Sequence, residues 1–166
     1  MTKVFVILFS LFLGACALSG QTGAAPPPGD PTVFYMFLRH HDALAQDVKA
    51  LAATDPARAS NTQVGAAASM NLGVNDFMRI GPVYQQLESE LEAVNAKANA
   101  YRDAVVSGST TLDIAIIKGF TASRNEAIAR ARARLQSALT PAGWQALSAY
   151  IDGEFRNGVR VFGRTR

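Results

Sequence analysis

Apolar side chains recur at alternating steps of three and four residues over most of the chain beyond residue 30. The first series follows Asp30 and Pro31 and ends before Pro56. This spacing places apolar side chains on one stripe of a helix. An Asp-Pro pair favours a helix start, because the carboxylate caps the N-terminus and proline loses nothing at the first position. The pattern predicts a first helix with the stripe Phe34, Phe37, His41, Leu44, Val48 and Leu51.

The next segment, residues 57–74, is rich in Ala, Asn and Ser and contains two glycines. It predicts a connector with a short helical piece between Val64 and Met70. Asn75 and Asp76 are suited to cap the helix that follows.

The clearest periodic signal in the chain then predicts a long second helix, of about 30 residues and about 45 Å. Its uninterrupted repeat indicates coiled-coil-like packing, and Gly81-Pro82 is expected to kink its first turns. The repeat consists of Phe77, Ile80, Tyr84, Leu87, Leu91, Val94, Ala98, Tyr101 and Val105.

Two further helices complete the pattern. The third is expected to turn Ile114, Ile117, Thr121, Ile128, Leu135 and Leu139 inward. Thr140-Pro141 repeats the cap-plus-proline signal and opens a fourth, with Trp144, Leu147 and Ile151 on its inner side. No comparable alternation indicates a strand. We therefore predict an all-α fold, an antiparallel bundle of three to four helices with one long central helix, over residues 31–156.

The start of the chain has the order of an export signal. Lys3 precedes the apolar run Val4–Leu13, and small residues follow. The run is shorter than the roughly 20 apolar residues that cross a bilayer. Residues 1–17 are therefore predicted to be a signal peptide, and residues 18–30, rich in Gly and Pro, a tether.

Two ways of processing this signal remain open. The segment Leu13–Cys16 resembles a bacterial lipobox, which implies cleavage before Cys16 and a lipid on its thiol. Alternatively, Ala15-Cys16-Ala17 fits the small-x-small rule of ordinary cleavage, and the mature chain would begin at Leu18. The first predicts an exported protein anchored by lipid in the periplasm or cell envelope, and the second a soluble secreted one.

The amino-acid composition and the distribution of charge limit the classes of protein to which this chain can belong. The sequence is 49% hydrophobic, which suffices for a packed core, and its single Cys excludes an internal disulfide. Residues 17–117 carry 6 basic and 10 acidic side chains, whereas residues 118–166 carry 9 basic and 3 acidic ones. We expect a solvated face in the basic part, ending in a basic tail at residues 157–166, with weak attraction to anionic lipid. The export signal argues against nucleic acid as a partner.

The two histidines, His40 and His41, are the candidates for a metal or pH-sensing site. Adjacent helix positions point about 100° apart, so both cannot bind one metal from the same helix. His41 lies on the apolar stripe, where a partly buried histidine bonded to a neighbouring helix is the simpler interpretation. His40 is expected on the flank.

Arg124 falls on the inward face of the third helix, among Ile117, Thr121 and Ile128. A buried guanidinium requires a partner. A carboxylate of the second helix, from Glu88, Glu92 or Asp103, would give a buried ion pair, and the alternative is contact with a bound anion. Glu88, Glu90 and Glu92 together are expected on a solvated face, with Glu126 pairing to Arg130.

Motifs of catalysis are absent from the sequence. It contains no nucleophile elbow, phosphate-binding Gly-rich loop, zinc-protease motif or dinucleotide fingerprint. We therefore expect neither an enzyme nor a cofactor.

The segment Arg134–Pro141, which ends in Leu139-Thr140-Pro141, resembles the helix starts of small exported helical proteins of the Spy and CpxP type. Val74-Asn75-Asp76 before Phe77 is similar to a degenerate first copy, and Gly143 and Met78 stand where that family has Gln. The resemblance implies an ATP-independent chaperone or envelope-stress role, as a dimer with a concave surface.

Three functions follow as hypotheses. The first is an envelope binding module that engages unfolded chains, an envelope protein or another copy through exposed apolar surface. The second is a structural or spacer lipoprotein with a fully buried seam, and the third a metal-responsive protein that uses His40 or His41.

Overall fold

The computed structural model describes residues 29–159, and within this range every regular element is helical. The all-α bundle predicted from the sequence is confirmed there. The elements are α1 Pro31–Ala52, α2 Pro56–Ser69, α3 Val74–Met78, α4 Ile80–Val106, α5 Ile114–Ala138 and α6 Pro141–Tyr150. A π-helical turn, Ile151–Phe155, and a last helical turn, α7 Arg156–Gly158, follow. The predicted signal peptide with Cys16, most of the predicted tether and the arginines of the predicted basic tail lie outside the described residues.

Helix α1 begins as its sequence predicts. The side chain of Asp30 accepts a hydrogen bond of 2.6 Å from the N–H of Thr32, and Pro31 occupies the first turn. The first half of the apolar stripe, through His41, is buried. In the second half, Leu44, Val48 and Leu51 are only partly buried, and Leu44 packs against the edge of the core.

Most of the connector expected at residues 57–74 forms the helix α2, so the short helical piece predicted between Val64 and Met70 is part of a longer helix that begins at Pro56. Asp55 caps this helix by accepting a hydrogen bond of 3.0 Å from the N–H of Arg58, with Pro56 in the first turn. The same Pro56 that ends α1 therefore starts α2. Gly65 is tolerated in the helix at an exposed position.

The long second helix is divided at Arg79 into α3 and α4. Pro82 lacks an N–H and its ring conflicts with the carbonyl four residues earlier, at Met78. The break therefore falls at the end of α3, before the expected kink. The expected cap at Asp76 is also not formed, because Asp76 lies inside α3 with its side chain buried.

Helices α4 and α5 form a long antiparallel hairpin, and α1 packs across its lower half. The Tyr35 hydroxyl lies 3.0 Å from Glu88, and the His41 ring nitrogen lies 3.1 Å from the Phe77 carbonyl. A later residue of α1 thus lies beside an earlier residue of the α3–α4 segment, so α1 and this segment are antiparallel. The most fully buried apolar side chains come from four helices and comprise Phe37, Leu38, Ile80, Leu87, Ile128, Leu135 and Leu147.

The upper half of the hairpin extends beyond this core. Within residues 92–126, all of which the structure describes, Ala98 is the single buried side chain. The inward face expected for the third helix is therefore right at Ile128 and Leu135 and wrong at Ile114, which is 64% exposed. Among residues 29–159, no third helix reaches the level of Ile114 to cover it.

The C-terminal helix returns to the start of the described chain. Its π-helical turn places Asp152 where the carboxylate accepts a hydrogen bond of 2.9 Å from the N–H of Gly29. Phe155 and Tyr150 pack edge-on against Phe37, with ring centroids 5.6 and 6.2 Å away. The C-terminal segment consequently packs along the first half of α1.

Candidate functional site

The corner between α5 and α6 is held by the short helix α3. Asp76, which is 6% exposed, accepts hydrogen bonds from the N–H of Thr140 at 3.2 Å and from its hydroxyl at 2.5 Å. The Thr140 hydroxyl oxygen in turn accepts a hydrogen bond of 3.0 Å from the N–H of Gly143. Thr140 thus caps α6 as expected, and a carboxylate near a helix N-terminus is favourable electrostatically.

A second contact closes the same corner from the other helix. The guanidinium of Arg79 donates a hydrogen bond of 2.7 Å to the carbonyl of Ala138, at the end of α5. It also lies 3.6 Å from the carboxylate of Asp76. A negative group therefore meets the start of α6 and a positive group the end of α5, and both match the helix dipoles. This cluster uses its polar atoms to fix the corner, and we assign it a structural role.

His41 is buried in the core, at 2% exposure, beside the rings of Phe37 and Phe77. Its Nε2–H donates to the carbonyl of Phe77, and its Nδ1 has no hydrogen-bond partner in the structure. Burial lowers the pKa of His41 to about 4, against the smaller opposing effects of the Phe77 hydrogen bond and of Asp42. The imidazole is therefore neutral near pH 7.

His40 lies exposed on the flank of α1, with its ring 5.9 Å from that of Phe155. The two histidines are not joined by acidic side chains. Among residues 29–159, no group of three or more His, Cys, Asp or Glu side chains could hold a metal ion. The structure therefore does not bring the metal-ligand candidates together.

Arg124 is half-buried on α5, and its partner differs from the expected carboxylate. The guanidinium lies over the ring of Tyr35, 5.1 Å from the centroid. Glu88 accepts the hydrogen bond of the Tyr35 hydroxyl instead. Burial, with the negative charge of Glu88, raises the pKa of Tyr35. The sequence identified the face of Arg124, but an aromatic partner from α1 required the three-dimensional fold.

The acidic residues of α4 are less solvated than expected. Glu90 forms ion pairs with Arg130, at 2.9 Å, and with Arg134 on α5. Partial burial opposes its ionisation, but the two guanidinium groups prevail and lower the pKa of Glu90. The expected pair of Arg130 with Glu126 is replaced by this contact across the hairpin, while Glu92 is exposed.

The end of the α4–α5 hairpin exposes a cluster of large apolar side chains, which we call the hairpin tip. It consists of Val106, Leu112, Ile114 and Ile116, at 58%, 53%, 64% and 42% exposure. Single exposed apolar side chains are ordinary in folded proteins, whereas several at one end of a molecule indicate a contact surface. The periodicity of the sequence suggested the opposite orientation for Ile114, so no sequence signal identified this surface.

The loop of the hairpin tip is fixed by Tyr101. Its hydroxyl accepts a hydrogen bond of 2.6 Å from the N–H of Asp113 and lies 3.1 Å from the carbonyl of Thr111, to which it donates. Phe120 packs beside the ring at 6.0 Å. The side chain of Asp113 then caps α5 by accepting a hydrogen bond of 2.7 Å from the N–H of Ala115. The tip is thus presented by an ordered turn.

The described part of the chain is accordingly an all-α helical bundle with one projecting hairpin. Comparison with protein-family models, with curated proteins and with solved structures finds no match for the chain. None of the helices within residues 29–159 combines the length and apolar content of a membrane span.

Proposed function

We propose that this protein is an exported binding module of the bacterial envelope, held to a membrane by lipid on Cys16, that engages its partner through the hairpin tip. Export and anchoring are supported by the apolar run Val4–Leu13 and the lipobox-like segment Leu13–Cys16. The binding role is supported by the hairpin tip.

The exposure of the hairpin tip is the observation that carries the proposal. Four large apolar side chains are exposed at this end of the hairpin, on the end of α4, the loop and the first turn of α5, and apolar surface gathered at one end of a protein is typical of a contact surface. Ile114, at 64%, is the most exposed large apolar side chain of the described chain. A passive spacer would gain nothing from this cluster, so the tip favours the binding module over the structural lipoprotein.

The chaperone role implied by the Spy and CpxP resemblance belongs to the same class of function and stays a proposal. The segment that carries the resemblance, Leu139-Thr140-Pro141, caps α6 in this chain. The metal-responsive alternative gains no support, since no group of three or more His, Cys, Asp or Glu side chains among residues 29–159 could hold a metal ion.

The anchoring part is tested by the intact mass of protein from the membrane fraction. We expect a mass that begins at Cys16 and includes a lipid, and we expect Cys16→Ser to abolish this species. A membrane-free chain that begins at Leu18 would overturn the anchoring.

The binding part is tested by a photo-crosslinking amino acid placed at residue 114 in cells. Val64, 50% exposed on α2, provides the matched control. Adducts that form at residue 114 and not at residue 64 support the proposal. Equal labelling at both positions would overturn the hairpin tip as a contact surface and leave the spacer lipoprotein.

A further inference from the structure

We infer that the hairpin tip contacts the anionic surface of the bilayer in which the chain is anchored, so that the hairpin stands with its apolar end on the membrane. This inference rests on the proposed function and names the partner of the same surface. It is carried by three features of the chain: the direction of α1, the reach of the chain before Gly29 and the charge of the sequence after Val159.

The first feature is the direction of α1. Tyr35 lies beside Glu88 and His41 beside Phe77, so α1 runs away from the hairpin tip while α4 runs toward it. The start of α1, at Pro31, is therefore the end of that helix nearer the tip. The chain that precedes Gly29 accordingly enters the bundle from the side on which the hairpin projects.

The second feature is the reach of the chain before Gly29. With Tyr35 level with Glu88, the start of α1 stands near Glu92, and Val106 lies about 20 Å farther along α4 at 1.5 Å per residue. The chain from Cys16 to Gly29 spans at most about 45 Å when fully extended. An anchor on Cys16 and the hairpin tip can therefore reach the same membrane plane.

The third feature is the charge of the sequence that follows Val159. Asp152 accepts a hydrogen bond from the N–H of Gly29 and Phe155 packs against Phe37, so the last turns before it lie beside the first half of α1. The sequence that follows contains Arg160, Arg164 and Arg166 and no acidic residue. Arginines near an anionic lipid surface are attracted to it.

The composition of the tip suits a membrane interface. Its loop carries small hydroxyl residues, Ser107 and Ser109–Thr111, beside the exposed apolar side chains. Hydroxyl groups bond to lipid headgroups, and the apolar side chains gain free energy at the boundary of the acyl chains. Lys118 follows on the next turn of α5 and adds a positive charge.

The test uses the lipid-anchored mature chain in vesicles of phosphatidylethanolamine and phosphatidylglycerol. Ile114→Cys is labelled with an environment-sensitive fluorophore, which is selective because Cys16 is the sole natural cysteine and its thiol is blocked by lipid. Lipids with a nitroxide on the acyl chain serve as quenchers. We expect several-fold stronger quenching at residue 114 than in the matched variant Val64→Cys.

A second measurement uses the unacylated mature chain, residues 16–166, and its sedimentation with the same vesicles. Leu112→Ser and Ile114→Ser are each expected to weaken partitioning by about tenfold, as the loss of a buried aliphatic side chain predicts. Met78→Ser, at the end of α3 and 59% exposed, lies at the opposite end of the bundle from the tip and should leave partitioning unchanged. Circular dichroism confirms that each variant remains folded.

The possible results separate this inference from the proposed function. Equal quenching at residues 114 and 64, in protein whose mass includes the lipid, overturns the membrane contact and leaves the anchoring intact. A fluorescence change at residue 114 that depends on the protein concentration and occurs without lipid would overturn the membrane contact and indicate that a second copy of the chain binds the tip. Loss of the lipid mass overturns the proposed anchoring itself.

Discussion

The carboxylate of Asp76 occupies the space in which a Cβ atom of residue 143 would stand. A side chain there would overlap the Oδ2 atom of Asp76, and it would also come within 2.9 Å of the hydroxyl oxygen of Thr140. Gly143 therefore permits a buried carboxylate to approach the first turn of α6. This contact explains why residue 143 is a glycine.

The closeness of Asp76 and Gly143 predicts that Gly143→Ala lowers the free energy of unfolding by about 1–3 kcal/mol, the usual cost of overpacking. Urea denaturation followed by circular dichroism measures this change. In an Asp76→Ala background the overlap is removed, so the same substitution should cost little.

Gly65→Ala is the control for this pair. No atom lies within 4 Å of the added Cβ in α2, and alanine favours the helix, so stability should rise by about 0.5–1 kcal/mol. An equal loss from Gly65→Ala and Gly143→Ala would contradict the role of Asp76.

Burial of His41 predicts that stability falls with acidification. Its pKa is about 4 in the folded protein and near 6.5 in an exposed chain, so the unfolded state binds the extra proton between these values. The folded state is therefore favoured fully above pH 6.5 and progressively less as the pH falls to about 4. The expected contribution is about 3 kcal/mol over this window, at 1.36 kcal/mol for each pKa unit.

Unfolding curves at several pH values test the assignment to His41. His41→Gln retains an amide donor for the Phe77 carbonyl and should flatten the dependence between pH 6.5 and 4. His40→Gln, on the exposed neighbouring position, should preserve it. A His41→Gln curve with the slope of the unmodified protein would show that another group is responsible.

The ion pairs of Glu90 predict a modest, salt-sensitive contribution to stability. Glu90→Gln removes the charge that Arg130 and Arg134 share and should lower the free energy of unfolding by about 1 kcal/mol at low salt. The loss should shrink at about 1 M salt, where charges are screened within about 3 Å. Glu92→Gln, on an exposed position of the same helix, should change stability little at either salt concentration.

The bonds of Tyr101 predict local control of the hairpin tip. Tyr101→Phe leaves the N–H of Asp113 without its acceptor, so this amide should exchange its hydrogen faster. The change in global stability should stay near 1 kcal/mol, since the loop is exposed to water. Hydrogen exchange measured by mass spectrometry should place the acceleration at residues 107–115, and uniform acceleration along the chain would contradict this assignment.

The start of a helix was predicted correctly where an N-cap residue followed by proline preceded a periodic apolar stripe. Asp30-Pro31 and Thr140-Pro141 start helices as expected. The pair Asp55-Pro56 was assigned only to the end of α1, because a proline signals both the end of one helix and the start of the next. Helix α2 was missed for that reason, since its Ala-rich sequence carries little apolar periodicity.

The contacts of the site depended on information that no single helix contains. The partner of Arg124 is set by the crossing of α1 over α5, and the partners of Glu90 by the register of α4 against α5. Periodicity identifies the stripe of a helix but not which part of the stripe is covered. Ile114 continues the apolar stripe of α5 and is exposed, because the bundle ends below it.

The packing of Phe37 against Tyr150 and Phe155 has a consequence for synthesis of the chain. Helix α1 emerges from the ribosome early, yet its aromatic partners lie near the C-terminal end of this domain. The core is therefore left open until translation of this domain is nearly finished. This delay suits the export that we propose, because a translocation channel accepts unfolded polypeptide.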